Sequence, residues 1–579
     1  MNAKLIPYGM TNLEAIIREN RYYVDKTGYI PLMEETDHFM LFVRPRRFGK
    51  SLFVNMLSLY YDKFAEDKFD NVFGELDIAK NPTENKNRYL VLLLNFSGIK
   101  GKTIEEIEKT FNDYCNIILR DFTRKYANYF DIDEQDNINN YQSSIAKLTY
   151  ICKILERKGE QIYLIMDEYD NFANNVLSNL GSKSYLGITH GDGFFRAFMD
   201  EIKKHTSFVI DRIFLTGVSP VTMDDLTSGF NIASNLSNDM DFNAMIGFTE
   251  IELREMLEYY LKEGVITNHS VDELIRIMKP WYNNYCFSED CLADPPMYNS
   301  DMVLYFLKYY LRTKEIPKQM IDRNVRTDYN KLRYLITIDK KFAENASVIQ
   351  EILTTGGTLG TINPGFSMQE LVEPNNFKSL LYYFGLLTIS GSYRSQTYLS
   401  IPNQVVKEQV YLYMANIYKE VFNAEFNTTE LNTLMENMAY SGEWQAYFQY
   451  ISERLREQSS IREFMDGEAH VKAFLLSYMG MNNFYTIYPE YEMNKGYTDF
   501  FMQPNLYLIP DMKYAYAIEV KYAKRDCNKH TLDQLQTDAT AQLHQYAQSP
   551  TIQNNLGNTA LLKIALIYQG WELVRIVQA

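Results

Sequence analysis

Two groups of residues in this chain have the types and spacing to do chemistry on phosphate. The first is Arg44-Pro45-Arg46-Arg47-Phe48-Gly49-Lys50-Ser51, which follows a short apolar run and opens a helical pattern. A phosphate-cradling loop reads G-x-x-x-x-G-K-[ST], and Arg44 stands at its first glycine position. The remaining chemistry is intact. Gly49 lets the backbone approach a phosphate, Lys50 offers a point charge to the β and γ oxygens, and the Ser51 hydroxyl can ligate Mg²⁺. The N-terminus of the following helix adds its positive dipole end. Taken alone, Gly-Lys-Ser reads equally well as a capping serine beside a surface lysine.

Asp167-Glu168-Tyr169-Asp170 shifts that balance, because it directly follows the apolar strand Ile162 to Met166. An Asp at the carboxyl end of such a strand can hold Mg²⁺ opposite Ser51, and Glu168 can polarise an attacking water. Two motifs in this order favour nucleotide binding. Thr216 or Ser219, after the next strand, reads either as a γ-phosphate sensor or as an ordinary turn. Arg46 and Arg47 fit phosphate binding or DNA contact equally.

The second group lies near the end of the chain: Glu468, Glu490, Glu492, Asp499, Glu519 and Lys521. In Ala517-Ile518-Glu519-Val520-Lys521, strand alternation puts Glu519 and Lys521 on one face and Ile518 and Val520 on the other. A charged pair beside an apolar face needs a reason. Asp499 and Glu519 converging on one Mg²⁺ would provide it, the metal activating water and Lys521 orienting it or stabilising the transition state. The alternative is an edge strand with a solvated face. Glu490 and Glu492 share a strand face and the pattern does not choose between them.

The elements that must position these residues follow from periodicity. Apolar strands are expected at Met40 to Val43, Tyr89 to Phe96, Ile162 to Met166 and Phe208 to Leu215, alternating with helices at Ser51 to Tyr61, 103–126 and 142–158. That alternation indicates a parallel α/β sheet. The expected division is a nucleotide-binding core over 1–250 and a mostly helical region over 251–405 with a small winged or β element. A polar helical connector over 406–465 and a second α/β domain over 466–579 complete it.

Composition sets the limits. At roughly 150 residues per domain, 579 residues allow three or four domains. With 58 Lys and Arg against 74 Asp and Glu the net charge is −16, so any nucleic-acid contact must be local rather than spread over the surface. Cys115, Cys152, Cys286, Cys291 and Cys527 are odd in number and scattered, which fits a reducing compartment. No second close pair accompanies Cys286 and Cys291, so structural zinc is not expected. Without a signal core or a long apolar run, a cytoplasmic location and no membrane contact are expected.

The stretches Tyr23-Val24-Asp25-Lys26-Thr27-Gly28-Tyr29, Arg44 to Ser51, Asp167 to Asp170 and Leu215-Thr216-Gly217 together resemble the AAA-ATPase-like proteins of bacteria, which commonly carry a C-terminal PD-(D/E)XK nuclease domain. Trp281-Tyr282-Asn283-Asn284-Tyr285 is similar to that family's lid run, with Asn283 and Asn284 departing from it. Arg44 is normal for the family. The resemblance implies a P-loop NTPase sheet with a helical lid, followed by a restriction-endonuclease-like α/β domain. It also implies ATP and Mg²⁺ as cofactors and nucleic acid as partner, DNA favoured over RNA. Within it Asp499, Glu519 and Lys521 carry the cutting chemistry, Glu468 completes the acidic set, and Gln542 with Tyr546 resembles a Gln-x-x-x-Tyr element. The expected function is a Mg²⁺-dependent nuclease gated by ATP, and the alternative is an ATP switch that binds without cutting. Homo-oligomer formation is left open.

Overall fold

The computed structural model describes residues 3–226, 232–322, 342–422, 427–457, 467–480, 482, 484–493, 496–546 and 556–579. The chain divides into two compact units. One is built on Met1–Lys314 with Gly360–Thr397, the other on Phe342–Leu359 with Tyr398–Ala579.

In the first unit β1 (Phe39–Val43), β2 (Leu90–Asn95), β3 (Ile162–Asp167), β4 (Ile210–Gly217) and the short β5 (Ser234–Asn235) form one sheet in the order β2-β3-β4-β1-β5. The pairings are parallel. Every residue of β3 is buried, as its unbroken apolar run requires when helices cover both faces. Helices Lys50–Tyr61, Ile104–Lys125 and Ser144–Lys158 are the expected crossovers. Thr103 and Ser143 cap the latter two by accepting from backbone N–H groups.

Phe208, expected to open β4, is instead 67% exposed on a turn. The turn closes the helix Phe194–His205 through Val209 N–H donating to His205 O at 3.0 Å. Parallel register brings Asn95 opposite Asp167 and Val43 opposite Gly217. The loops bearing the phosphate motif and the acidic motif therefore leave the same edge of the sheet, where open α/β sheets bind ligands. Helices Glu250–Lys262 and Val271–Tyr282 follow, each opened by a reciprocal capping box, and Ser300–Thr313 is capped by Asn299.

Strands β6 (Gly357–Gly360), β7 (Thr388–Tyr393) and β8 (Gln396–Ser400) precede the second sheet. That sheet contains β9 (Tyr485–Met493), β10 (Gly496–Pro504), β11 (Tyr514–Ala523), β12 (Ala560–Gln569) and β13 (Glu572–Gln578), in the order β13-β12-β11-β10-β9. Only β11 and β12 pair in parallel, the helix Lys529–Tyr546 lying between them in sequence. Ala515, Ala517, Ala539 and Ala565 line the helix–sheet contact, and their small side chains let the helix approach closely. β13 follows a tight turn at Gly570 (φ +60°) and forms an edge of the sheet.

Helices Thr428–Ser441 and Gln445–Glu457, read from sequence as part of a polar connector, pack onto this sheet. Tyr516 Oη donates to Met438 O at 2.7 Å, and Ser452 Oγ lies 2.6 Å from Tyr568 Oη. Leu431, Met435 and Met438 recur at helical spacing and are buried, a stripe that the polar average conceals. Among the described residues no helix is long and apolar enough to cross a membrane.

Gly217, at the carboxyl end of β4, is fixed by space. A Cβ there would overlap the Asp170 carboxylate and come within 2.8 Å of the Tyr169 ring. We expect Gly217→Ala to destabilise the first unit by about 1–3 kcal/mol, read as a lower urea midpoint with an unchanged m-value.

Candidate functional site

The phosphate loop turns through left-handed backbone at Arg47 (φ +68°) and Gly49 (φ +100°). A Cβ on Gly49 would lie 3.7 Å from Ser300 Oγ, an ordinary contact, so conformation and not space requires glycine there. Lys50 opens the helix and folds back, donating to Arg44 O at 2.8 Å and Pro45 O at 2.9 Å. Burial pulls its pKa down to about 8 against the pull of Asp167 and Asp170. An arriving phosphate would restore full charge to this ammonium.

Ser51 Oγ donates to Asp167 Oδ2 at 2.7 Å, and Asn95 Nδ2 donates to the same oxygen at 3.1 Å. Asp167 Oδ1 is buried and has no hydrogen-bond partner among the described residues. Burial raises the Asp167 pKa, with Ser51 and Lys50 opposing. Burial and Asp167 likewise raise that of Glu168, which sits at φ +51° and accepts from Asn171 Nδ2 at 2.9 Å. A buried, unpartnered carboxylate oxygen beside a serine hydroxyl fits a hard cation such as Mg²⁺.

Asp170 serves the fold: it accepts from Val218 N–H (3.2 Å) and Ser219 N–H (3.0 Å), tying the loop after β3 to the end of β4. Both sensor candidates are also occupied. Thr216 Oγ1 donates to Phe42 O at 2.7 Å, and Ser219 Oγ accepts from Val221 N–H at 3.2 Å. Arg47 is paired with Asp301 at 2.9 Å.

In the second unit, Asp499 lies one residue beyond the Phe500↔Ile518 pair, so it faces Glu519 across β10 and β11. Both are buried, Glu519 to 2% exposure. Asp499 Oδ2 accepts from Val520 N–H at 2.6 Å, and Glu519 Oε1 is 2.7 Å from Lys521 Nζ. Among the described residues Glu519 Oε2 has no hydrogen-bond partner. Burial, then the neighbouring Asp499, pushes the Glu519 pKa up to about 7, with Lys521 opposing. The set fits one hard divalent cation: two facing carboxylates with an open buried oxygen and a lysine at the rim.

Sequence reasoning missed Lys472. Its Nζ lies 2.5 Å from Asp499 Oδ1, 2.8 Å from Glu468 Oε1 and 3.6 Å from Glu490 Oε1. Glu468, Glu490 and Asp499 thus meet around an ammonium. Among the described residues no three His, Cys, Asp or Glu side chains are already gathered as a metal-holding group. Lys472 stands one helical turn after Glu468, and that i,i+4 spacing was its available signal. Asn95 was also missed. It ends β2 as Asp167 ends β3, a shared position legible once the two strands are paired. The side chains of Glu492 and Tyr546 lie outside the described residues, and among those described Gln542 Oε1 is buried without a hydrogen-bond partner.

The two arrangements define the class: a parallel-sheet unit of P-loop type and a mixed-sheet unit with a buried carboxylate pair. Residues 7–227 match the family described as predicted AAA-ATPase, and residues 466–578 match the PD-(D/E)XK nuclease superfamily. An uncharacterized protein in the vnfD 5' region of Azotobacter chroococcum mcd 1 is 27% identical over 317 residues, 54% of this chain and 54% of that protein. The chain therefore spans about half the length of that relative. Among solved structures, Cdc6p from Pyrobaculum aerophilum is 14% identical (TM-score 0.25), with 66% of this chain and 88% of that one covered. The Aeropyrum pernix ORC1 protein in complex with DNA is 12% identical (TM-score 0.24), with 71% and 96% covered.

The raised Glu519 pKa has a consequence for stability. The folded protein holds this proton more tightly than the unfolded chain, whose carboxyl titrates near 4.5. Its contribution is fully present below that value and is lost as pH rises through about 7. In EDTA at pH 8, Glu519→Gln should therefore be more stable than wild type by on the order of 1–3 kcal/mol. Thermal melts should show that advantage shrinking toward pH 5, and an advantage independent of pH would contradict the assignment.

Proposed function

We propose that this chain is an ATP-binding, Mg²⁺-dependent nuclease that cleaves phosphodiester bonds of DNA in the cytoplasm, with cutting gated by ATP. The observation that carries the reading is the inward-facing Asp499–Glu519 pair with Glu519 Oε2 unpartnered beside Lys521. Burying two carboxylates face to face costs stability and makes chemical sense only with a cation between them for part of the working cycle.

In this reading Asp499 and Glu519 hold the metal and Glu468 adds a further acidic group. A bound Mg²⁺ supplies Lewis acidity and lowers the pKa of water. Lys521, anchored by Glu519 Oε1, is positioned to orient the attacking water and to offset charge developing on the phosphate. The water oxygen bonds to phosphorus and gives up a proton to solvent, while the ester oxygen leaves and takes up a proton from solvent. In the first unit Gly49, Lys50, Ser51 and Asp167 take the phosphates and cation of ATP, and Glu168 polarises water for hydrolysis. DNA is preferred over RNA as substrate, although none of these residues reads the sugar.

A second reading, an ATP switch that binds nucleic acid or a protein without cutting it, is favoured by one observation. An ammonium already occupies the space among Glu468, Glu490 and Asp499. Plasmid nicking separates the two. Wild type should nick with Mg²⁺ and not with EDTA. Glu519→Ala should lose roughly 100-fold or more of that activity, and Lys50→Ala should lose its response to ATP. Nicking that survives Glu519→Ala, or metal-independent DNA binding with no cutting under any nucleotide, would remove the nuclease.

A further inference from the structure

Lys472 is held as metal ions are held. Its carboxylate neighbours come from three elements: Glu468 from its own helix (Glu468–Met479), Glu490 from β9 and Asp499 from β10. Its side chain is only 11% exposed, unlike a surface i,i+4 ion pair open to water.

Both oxygens of Asp499 are engaged in this arrangement. Oδ2 accepts from the Val520 N–H and Oδ1 is taken by Lys472. The open position is Glu519 Oε2. A cation arriving there and reaching for Asp499 Oδ1 meets the Lys472 ammonium on the same oxygen, and the two positive charges repel.

We propose that Lys472 is an internal counter-ion that a divalent cation must displace, and that it thereby sets the cation concentration at which the second unit becomes competent. The inference rests on the nuclease reading above. Its logic is exchange. Without metal, Lys472 neutralises carboxylates that would otherwise repel one another out of water. With metal, the same carboxylates are satisfied by the stronger charge. Apparent affinity for the cation is lowered by the fraction of molecules in which the ammonium holds the site. Lys472 is in this sense a positioning residue, acting through Asp499 and Glu468.

The test uses the full chain and Mn²⁺ titrated by calorimetry, counting only the binding lost in Glu519→Ala. Lys472→Met should bind Mn²⁺ about tenfold or more tightly than wild type, and should melt lower in EDTA but gain more from Mn²⁺. Lys472→Arg, which keeps the counter-ion, should show no such tightening. In wild type, saturating Mn²⁺ should speed acylation of Lys472 by an amine-reactive ester, read by peptide mapping, a measurement that needs no variant to fold. Unchanged or weaker Mn²⁺ affinity in Lys472→Met, or acylation unaffected or slowed by Mn²⁺, overturns the proposal and leaves the nuclease standing. Absence of any Glu519-dependent Mn²⁺ binding in wild type overturns both.

Discussion

Negative charge taken out of water organises both units. An ionised carboxylate moved into a protein interior costs several kcal/mol even after relaxation, a large part of the stability a domain has to spare. Asp499 and Glu519 nevertheless stand side by side on adjacent strands, Glu519 almost wholly enclosed. The surroundings answer this cost atom by atom. The Val520 N–H takes one oxygen of Asp499 and Lys472 the other, while Lys521 takes one oxygen of Glu519. The remaining oxygen is left unanswered among the described residues, which is what the proposed cation-binding role would require.

The same device recurs in the first unit. Asp167 shares one oxygen between Ser51 and Asn95 and leaves its other oxygen buried and bare. The two sites differ in how the nearby lysine is treated. Lys50 sits on backbone carbonyls, and desolvation loosens its proton. Lys472 sits on carboxylates, which hold its proton well above the ordinary range despite burial. In the roles proposed above, the first lysine gains when an anion arrives and the second gives way when a cation arrives. Each is matched to the ligand its neighbours can accept.

Much of this was legible in the chain because it rests on short-range pattern. Buried parallel strands announce themselves as unbroken apolar runs, so β1, β2 and β3 and the acidic motif ending β3 could be read directly. Glu519 and Lys521 share a face because a strand has a period of two, and they are found in contact. What could not be read depends on pairing between distant segments. Opposing Asp499 to Glu519 needs the register of β10 on β11, and bringing Lys472 to Asp499 needs a helix docked on that hairpin. The packing face of the helices over 428–457 was hidden for another reason. A stripe of buried residues such as Met435 and Met438 is diluted by the polar face of the same helix, so average composition hid a packing surface.

Arg44 shows how a departure from a motif can be harmless to its chemistry. An arginine at the first glycine of a phosphate loop looks obstructive, since its side chain could fill the space meant for phosphate. It goes elsewhere. The guanidinium lies 4.2 Å over the Phe42 ring and 4.1 Å over the Phe287 ring, and donates to Val43 O, Ser237 O and Phe242 O. Burial lowers its pKa to about 10, still far enough above neutrality to keep it charged. Aromatic faces and carbonyl dipoles can stabilise that charge without a carboxylate. The loop is thereby fastened to the segment after β5 and to the Tyr285–Phe287 region, while its phosphate-facing part is left to Gly49, Lys50 and Ser51. The anchoring falls to a buried cation, and in the function proposed above the phosphate contacts fall to the three residues that end the motif, a division of labour that does not call on the first glycine.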